Sequence, residues 1–225
     1  MKYDLHVHSK YSSDGVLEPE EIVKIAKRKG LRGIAVTDHN TIKGGLETKK
    51  YETADFEVIV GCEIMTERGE ITGLFLSQEI KPRDVQGVVL EIKEQGGIIV
   101  IPHPFDEIRR SSFRPTEEDV KFIDAIEGFN SRCLFQKYKE SAVEFALRYN
   151  LPVIGGSDAH FANEVGIAGI IITTNDVKGA ILRSDLELFS SKSLLLNHAR
   201  TKLLKANRKV WNRGSVRNLE GEGNL

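Results

Sequence analysis

Five of the six histidines in this 225-residue chain stand where a short β-branched run gives out. His6 and His8 close the run that begins at Tyr3, and His39 follows Asp38 at the end of the second. His103 ends another in Ile101-Pro102-His103-Pro104, and His160 closes Gly156-Ser157-Asp158-Ala159-His160. Only His198 lies outside the pattern. Asp4, Asp38, Glu63 and Asp158 occupy the same run ends. Residues two apart on a strand project to one side, so His6 and His8 are spaced to grip one metal ion. Neutral imidazole with carboxylate is a ligand set for Zn²⁺, Mn²⁺ and Fe, and carboxylates such as Glu63 and Asp158 can bridge two ions. A single histidine at a strand end is ordinarily a hydrogen-bonded surface residue. Five at equivalent ends, beside four acids, predict a metal cluster.

The elements that must position these residues alternate in type. Strands are expected at Tyr3–His8, Gly33–Asp38, Glu57–Glu63, Ile71–Leu76, Ile98–Pro102, Ala125–Phe129, Val153–Gly156 and Ala168–Thr173. Amphipathic helical patterns fall between them at Pro19–Lys29, Pro82–Glu94, Phe135–Tyr149 and Asp176–Arg183. The first has Pro19 near its first position, two acids in its first turn, and stops at Gly30. Ile98–Ile101 and Ile170–Thr173 are nearly continuous apolar runs, as in strands covered on both faces. Repeated βα units imply a mainly parallel sheet with right-handed crossovers. Seven or eight units favour closure into a barrel, whose C-terminal strand ends converge on one face. No glycine fingerprint of a nucleotide-cradling fold follows any strand.

Composition sets the broad class. Hydrophobic residues make up 40% and charged residues 29%, with a formal net charge of -1. No bulk attraction to nucleic acid or membrane is expected. Cys62 and Cys133 are not in a CxxC pair and read as reduced small hydrophobes. With no basic-then-apolar leader and no apolar run of membrane-spanning length, the expected location is cytoplasmic, without a membrane partner. Residues 1–192 are expected to form the barrel domain. Residues 193–225 stand apart: from Lys192 onward eight lysines and arginines face only Glu220 and Glu222. A basic amphipathic helix is expected over Leu194–Trp211 and a disordered tail from Gly214. That helix is either solvated packing on the barrel or a contact for an acidic partner.

Taken in order, these segments resemble the PHP (polymerase and histidinol phosphatase) family of metal-dependent phosphoesterases over roughly residues 1–190. Asp4-Leu5-His6-Val7-His8-Ser9 is similar to that family's first motif, with Asp14 at a further ligand position. Thr37-Asp38-His39 is similar to the second. Gly61-Cys62-Glu63-Ile64 resembles the segment that supplies a bridging glutamate, Pro102-His103-Pro104 the third motif and Gly156-Ser157-Asp158-Ala159-His160 the fourth. The resemblance implies a distorted (β/α)7, TIM-like barrel holding two or three divalent ions (Zn, Mn or Fe). One ion would take His6, His8, Glu63 and Asp158; a second would share Glu63 and use His103; a third would sit among Asp14, His39 and His160. Relatives that supply a further histidine to the second ion do so near Glu127-Gly128-Phe129-Asn130, so here Asn130 or water would complete it. Many also carry a histidine where this chain has Ile71-Thr72-Gly73.

The reaction implied is hydrolysis of a phosphate ester, in which a metal ion lowers the pKa of water from 15.7 to about 7 and yields hydroxide at neutral pH. Asp38 is expected to orient a ligand or shuttle a proton, and His160 to be a ligand or to protonate the leaving oxygen. Arg132 and Asn130 are expected to contact substrate phosphate, with Arg109, Arg110 or Arg114 in the loop after His103 also candidates. The substrate class is a nucleotide, a small phosphometabolite or a nucleic-acid end. Two rivals stand beside this reading. One is an amidohydrolase-type C–N hydrolase, which also opens with HxH, although no strand here ends in a lysine suited to bridging metals. The other is a non-catalytic scaffold whose metal serves folding alone.

Overall fold

The computed structural model describes residues 1–81 and 83–190, together with Asn197 and Thr201. In chain order the strands are β1 (Lys2–Val7), β2 (Gly33–Val36), β3 (Glu57–Thr66), β4 (Gly69–Leu74), β5 (Ile98–Ile101), β6 (Ala125–Asn130), β7 (Val153–Gly156), β8 (Ala168–Ile171) and β9 (Glu187–Ser190). The helices are α1 (Pro19–Arg28), α2 (Lys43–Lys49), α3 (Val85–Glu94), α4 (Gln136–Arg148) and α5 (Val177–Leu182). The strands form one sheet in the order β7-β6-β5-β4-β3-β2-β1-β8-β9. It curls into a nearly closed barrel. Val7 bridges to Ala159 in parallel register, where the His8 amide donates to the Ala159 carbonyl at 2.8 Å.

The distortion from regular βα repetition has two locations. β4 runs antiparallel between β3 and β5, so β3 returns directly through a hairpin instead of a helix. β8 likewise runs antiparallel to β1 and to β9. The remaining neighbours, β1-β2-β3 and β5-β6-β7, pair in parallel. Tyr3, Leu5, Ala35, Ile59, Leu74, Val100, Ala125, Ile154 and Ile170 meet in one cluster drawn from eight of the strands. Ile34, Val36 and Val58 alternate with the barrel-facing residues of β2 and β3 and pack against α1.

α1 begins with Pro19 at its first turn, carries Glu20 and Glu21 there and ends on Lys27 and Arg28, each charge opposing the helix dipole. Its buried stripe is Ile22, Val23, Ile25 and Ala26. Complete burial of one such side chain as Ile22 stabilises by about 1.5–3 kcal/mol. α3 starts at Val85, where Asp84 accepts a hydrogen bond from the Gly87 amide at 2.9 Å, an N-cap that fixes the helix start. Neither α2 nor β9 is expected from sequence. The basic helix over Leu194–Trp211 and the tail from Gly214 lie outside the described residues, apart from Asn197 and Thr201, both of which are buried. Among the described residues no helix is long and apolar enough to cross a membrane.

Candidate metal centre

The ends of β1, β2, β3, β5, β6 and β7 meet at one rim, and the expected ligands lie there. β1 carries a bulge between Asp4 and Val7, where three residue steps oppose two on β2. The extra residue resets the alternation. Tyr3 and Leu5 therefore pack in the barrel core while His6 and His8 both reach the rim. His103 and Asp158 lie just past β5 and β7 with φ of 31° and 55°, the left-handed backbone region. Strain of this kind persists where surrounding structure over-determines it, as at ligand sites.

Glu63, in β3, stands at the centre. Its Oε1 is 2.9 Å from His103 Nε2, and its Oε2 is 3.1 Å from His39 Nδ1, 3.4 Å from His8 Nε2 and 3.5 Å from His6 Nε2. Asp158 Oδ1 lies 3.3 Å from His8 Nε2 and 3.8 Å from His6 Nε2. Asp14 Oδ2 is 2.8 Å from His160 Nε2, and Asp14 Oδ1 is 3.6 Å from His39 Nε2. The structure thus gathers His6, His8, Asp14, His39, Glu63, His103, Asp158 and His160, nearly all fully buried. Three groups have ligand atoms within 4.8 Å of one another: His8, Asp14, His39 and His160; His6, His8 and Asp158; and His39, Glu63 and Glu70.

The donor set fits divalent metal. His6 Nδ1 faces Glu127 Oε1 at 2.9 Å and so carries a proton. His8 Nδ1 faces Ser12 Oγ at 2.9 Å, an oxygen that also accepts from the His39 amide at 3.0 Å. With both Nδ1 atoms engaged, the Nε2 atoms of His6 and His8 converge at 3.1 Å. Two lone pairs at that distance repel unless a cation lies with them, either a proton or a metal ion. Burial opposes charge on His6, but Glu127, Glu63 and Asp158 outweigh it and hold its pKa well above the ordinary value. Burial, with His160 and His39 alongside, lowers that of His8 to about 3. Burial likewise opposes ionisation of Glu63 and Asp158. The His6 and His39 imidazoles for the first, and Arg109 and His6 for the second, hold both carboxyls well below the usual range.

A supporting layer holds these ligands. Asp4 Oδ1 accepts from the Ser157 amide at 2.9 Å, and its Oδ2 accepts from Ser157 Oγ at 2.5 Å and the Gly166 amide at 2.7 Å. Asp4 therefore ties β1 to the loop after β7 and is no ligand itself. Asp4→Ala should destabilise the fold by roughly 3 kcal/mol, since buried amides lose their acceptor. Chemical denaturation measures it. Burial raises the Asp4 pKa to about 6. Because the folded value exceeds the unfolded one, ionised Asp4 costs stability progressively from about pH 4 to 6. Asp4→Asn, which has no such cost, should accordingly destabilise less at pH 8 than at pH 5.

Asp38 accepts from the Ser9 amide at 2.7 Å and from Ser9 Oγ at 2.6 Å, and also bonds Ser12. Ser12 in turn meets His8 Nδ1, so Asp38 is placed to orient His8. It is not among the residues that line the cleft. His160 Nδ1 faces the Asp158 carbonyl at 2.8 Å, leaving Nε2 toward Asp14.

A cleft of about 380 Å³ opens over the cluster, lined among others by Asp14, His39, Glu70, Arg109, Arg110, Arg132, Asp158 and His160. Arg109 Nη1 lies 2.6 Å from Asp158 Oδ2, Nε 3.3 Å from Asp106 and Nη2 3.4 Å from Asn130 Oδ1. Arg110 is exposed at the mouth, whereas Arg114 is an exposed residue paired with Glu107 away from the cleft lining. Arg132, the arginine favoured from sequence as a phosphate clamp, is placed differently. Its Nη1 pairs with both oxygens of Glu164 at 3.0 and 3.1 Å, and its Nη2 donates to Thr201 Oγ1 at 2.8 Å. The pair is buried, and Glu164 also accepts from the His160 and Phe161 amides. Arg132→Ala should therefore cost about 3–5 kcal/mol of stability by leaving Glu164 uncompensated. Its effect should appear in the denaturation midpoint more than in the KM for substrate.

Asn130 Nδ2 donates to Glu127 Oε2 at 2.9 Å and Asp158 Oδ2 at 3.3 Å, and its Oδ1 accepts from the Arg132 amide at 2.9 Å. Its one ligating atom is turned to backbone and Arg109 and is not free to complete an ion held by His103. Glu70, Glu127 and Glu164 are the site residues that sequence reading passes over. Glu127 joins His6 Nδ1 to the His103 amide, at 2.9 and 2.8 Å. A charge inside the otherwise apolar start of β6, Ala125-Ile126-Glu127, is the signal that marks it.

A model of the PHP domain matches residues 4–183. The uncharacterized protein MJ0417 of Methanocaldococcus jannaschii is 35% identical over 226 residues, covering 96% of this chain and 91% of that protein. A stretch of 66 residues is 46% identical to the 5'-3' exoribonuclease of Haemophilus influenzae, covering 29% of this chain and 24% of that enzyme. Among solved structures, a two-domain protein from Bacteroides vulgatus containing a predicted PHP-like metal-dependent phosphoesterase superposes with a TM-score of 0.70 at 23% identity. The superposition covers 84% of this chain and 64% of that one, and establishes likeness of fold.

Proposed function

We propose that this chain, which belongs to the PHP domain family, is a metal-dependent phosphoesterase acting on a nucleotide, a small phosphometabolite or a nucleic-acid end. The observation that carries this reading is the single carboxylate of Glu63 within 3.5 Å of four imidazoles, from His6, His8, His39 and His103. A carboxylate so placed is suited to bridging ions. Zn²⁺, Mn²⁺ and Fe²⁺ all suit the mixed shell, and His6, His8, Asp14, His39, Glu63, His103, Asp158 and His160 would hold them. Bound ions supply a hydrolytic nucleophile at neutral pH and neutralise phosphoryl charge.

The chain's own residues do the rest. Arg110, exposed at the cleft mouth, and Arg109, which shares its charge with Asp158 and Asp106 but is less buried than Arg132, would receive the non-bridging phosphoryl oxygens. Arg109 already lies along the ligand carboxylate of Asp158, so a phosphate bound there sits beside the cluster. The orientation of His160, with Nδ1 toward a backbone carbonyl, favours a ligand role over protonation of the leaving oxygen. Asp38, Glu127 and Ser12 hold imidazoles in the tautomers that ligation requires. Among the described residues no lysine lines the cleft, which weighs against a carbamylated-lysine amidohydrolase. The name of the Haemophilus influenzae relative, a 5'-3' exoribonuclease, supports a nucleic-acid end among the three substrate classes.

The test is a panel of p-nitrophenyl phosphate, nucleoside 5'-monophosphates, phosphosugars, 5'-phosphorylated oligonucleotides, a dihydropyrimidine and a dipeptide, each with added Mn²⁺, Zn²⁺ or Fe²⁺. Release of phosphate or nucleotide is expected. Turnover of the dihydropyrimidine or dipeptide alone would replace this reading with a C–N hydrolase.

A further inference from the structure

An ion held by His103 and Glu63 would need further ligands, and Asn130 is not placed to supply one, because its carbonyl oxygen is bonded to the Arg132 amide and Arg109. The opposite side of the site holds a carboxylate. Glu70 is 4% exposed, its Oε2 lies 3.6 Å from His103 Nε2 and its Oε1 3.4 Å from His39 Nδ1. His103 Nε2 is also 2.9 Å from Glu63 Oε1, and His39, Glu63 and Glu70 have ligand atoms within 4.8 Å of one another, so Glu70 lies beside both His103 and His39 against the shared Glu63.

The backbone explains how Glu70 gets there. β4 pairs with β3 in continuous register, with Thr72 opposite Glu63 and Glu70 opposite Met65. Cross-strand partners share a face, and positions two apart on a strand share it too. Glu70 therefore projects to the same side as Glu63. The hairpin is pinned against the loop that follows His103: the Glu70 amide donates to the Ser111 carbonyl at 2.8 Å. Gly69, at φ 124°, lets the two backbones approach, since a Cβ there would stand 2.7 Å from the Phe113 backbone. This anchoring, with the burial, distinguishes Glu70 from a surface acid that happens to lie near a cluster.

We propose that Glu70 is a metal ligand, the carboxylate that completes the shell of the ion held by Glu63 and His103. The proposal rests on the metal-centre reading above but not on which bond the enzyme cleaves. Two carboxylates against one or two imidazoles make a hard shell, one that favours Mn²⁺ over Zn²⁺ relative to an all-imidazole alternative.

The experiment uses the full chain, stripped with chelator, reloaded with Mn²⁺ or Zn²⁺, desalted and analysed for bound metal by mass spectrometry and calorimetric titration. Glu70→Gln should retain one equivalent of Mn²⁺ fewer than wild type, or bind that equivalent at least tenfold more weakly. Glu70→His should restore the equivalent and raise the Zn²⁺-to-Mn²⁺ affinity ratio about tenfold. Wild-type metal content and affinity in Glu70→Gln would overturn the proposal, as would loss of the equivalent in Asn130→Ala but not in Glu70→Gln. Should Glu70→Gln fail to fold by circular dichroism, Glu70→His decides alone, and an unchanged affinity ratio in it overturns the proposal. A wild-type chain that takes up no metal would instead sink the metal-centre reading itself, a separate result.

Discussion

Glu63→Gln is expected to lower phosphoester hydrolysis by about 10³-fold or more while leaving the barrel folded. The substitution keeps the shape and one ligating oxygen but removes the charge shared by four imidazoles. Losing one preorganised electrostatic contact to a transition state typically costs 10²–10³ in rate. Here the same change also weakens the hold on the ions that supply the chemistry. The fold should survive because Glu63 contributes only its backbone to the β3–β4 ladder, and its neighbours Cys62 and Ile64 pack in the apolar core between sheet and helices. Steady-state kinetics on the best substrate of the panel, beside circular dichroism and metal analysis, measure all three. A variant within tenfold of wild type would remove Glu63 from the centre of the site.

Chelation should lower the melting temperature by roughly 8–16 °C. Without metal the rim buries Glu63, Asp158, Asp14 and Glu70 against imidazoles, and burial disfavours every one of these charges. An ion that binds the folded chain and not the unfolded one stabilises by about 4 kcal/mol at a thousand times its Kd. For a domain of this size each kcal/mol shifts the melting temperature by about 2–4 °C. Differential scanning calorimetry with and without chelator reads the shift directly. An unchanged melting temperature would mean that the cluster is preorganised by protons alone.

Much of this site was legible before folding because its ligands fall at strand ends, where a parallel sheet brings distant residues together. His6, His8, His39, His103 and His160 could be placed by that rule, and the barrel followed from the run lengths. What escaped depends on contacts across the chain. α2 carries Gly44 and Gly45, poor helix formers, yet only glycine at 44 avoids the Asp38 carboxylate and Ser9 hydroxyl that hold the first motif. The strand expected at Ile71–Leu76 is present as β4, but nothing in its run reveals that it pairs antiparallel or begins at Gly69, and so Glu70 is missed. Arg132 shows the limit from another side. A strand end correctly puts it at the cleft, but only the fold reveals that Glu164, thirty-two residues on, already neutralises it. Arg109, ranked behind it from sequence, reaches the cluster because the loop after His103 folds back over the rim.

The central claim is that hydrolysis belongs to the metal cluster of this chain. It is tested most directly by stripping the purified protein with chelator and titrating Mn²⁺ back while following hydrolysis of a 5'-phosphorylated oligonucleotide or p-nitrophenyl phosphate, with His8→Ala in parallel. Turnover should vanish in the stripped protein, rise with added metal to a plateau at a small whole number of equivalents, and remain near background in His8→Ala shown to be folded. Turnover that persists after stripping, or that His8→Ala shares, would contradict the account.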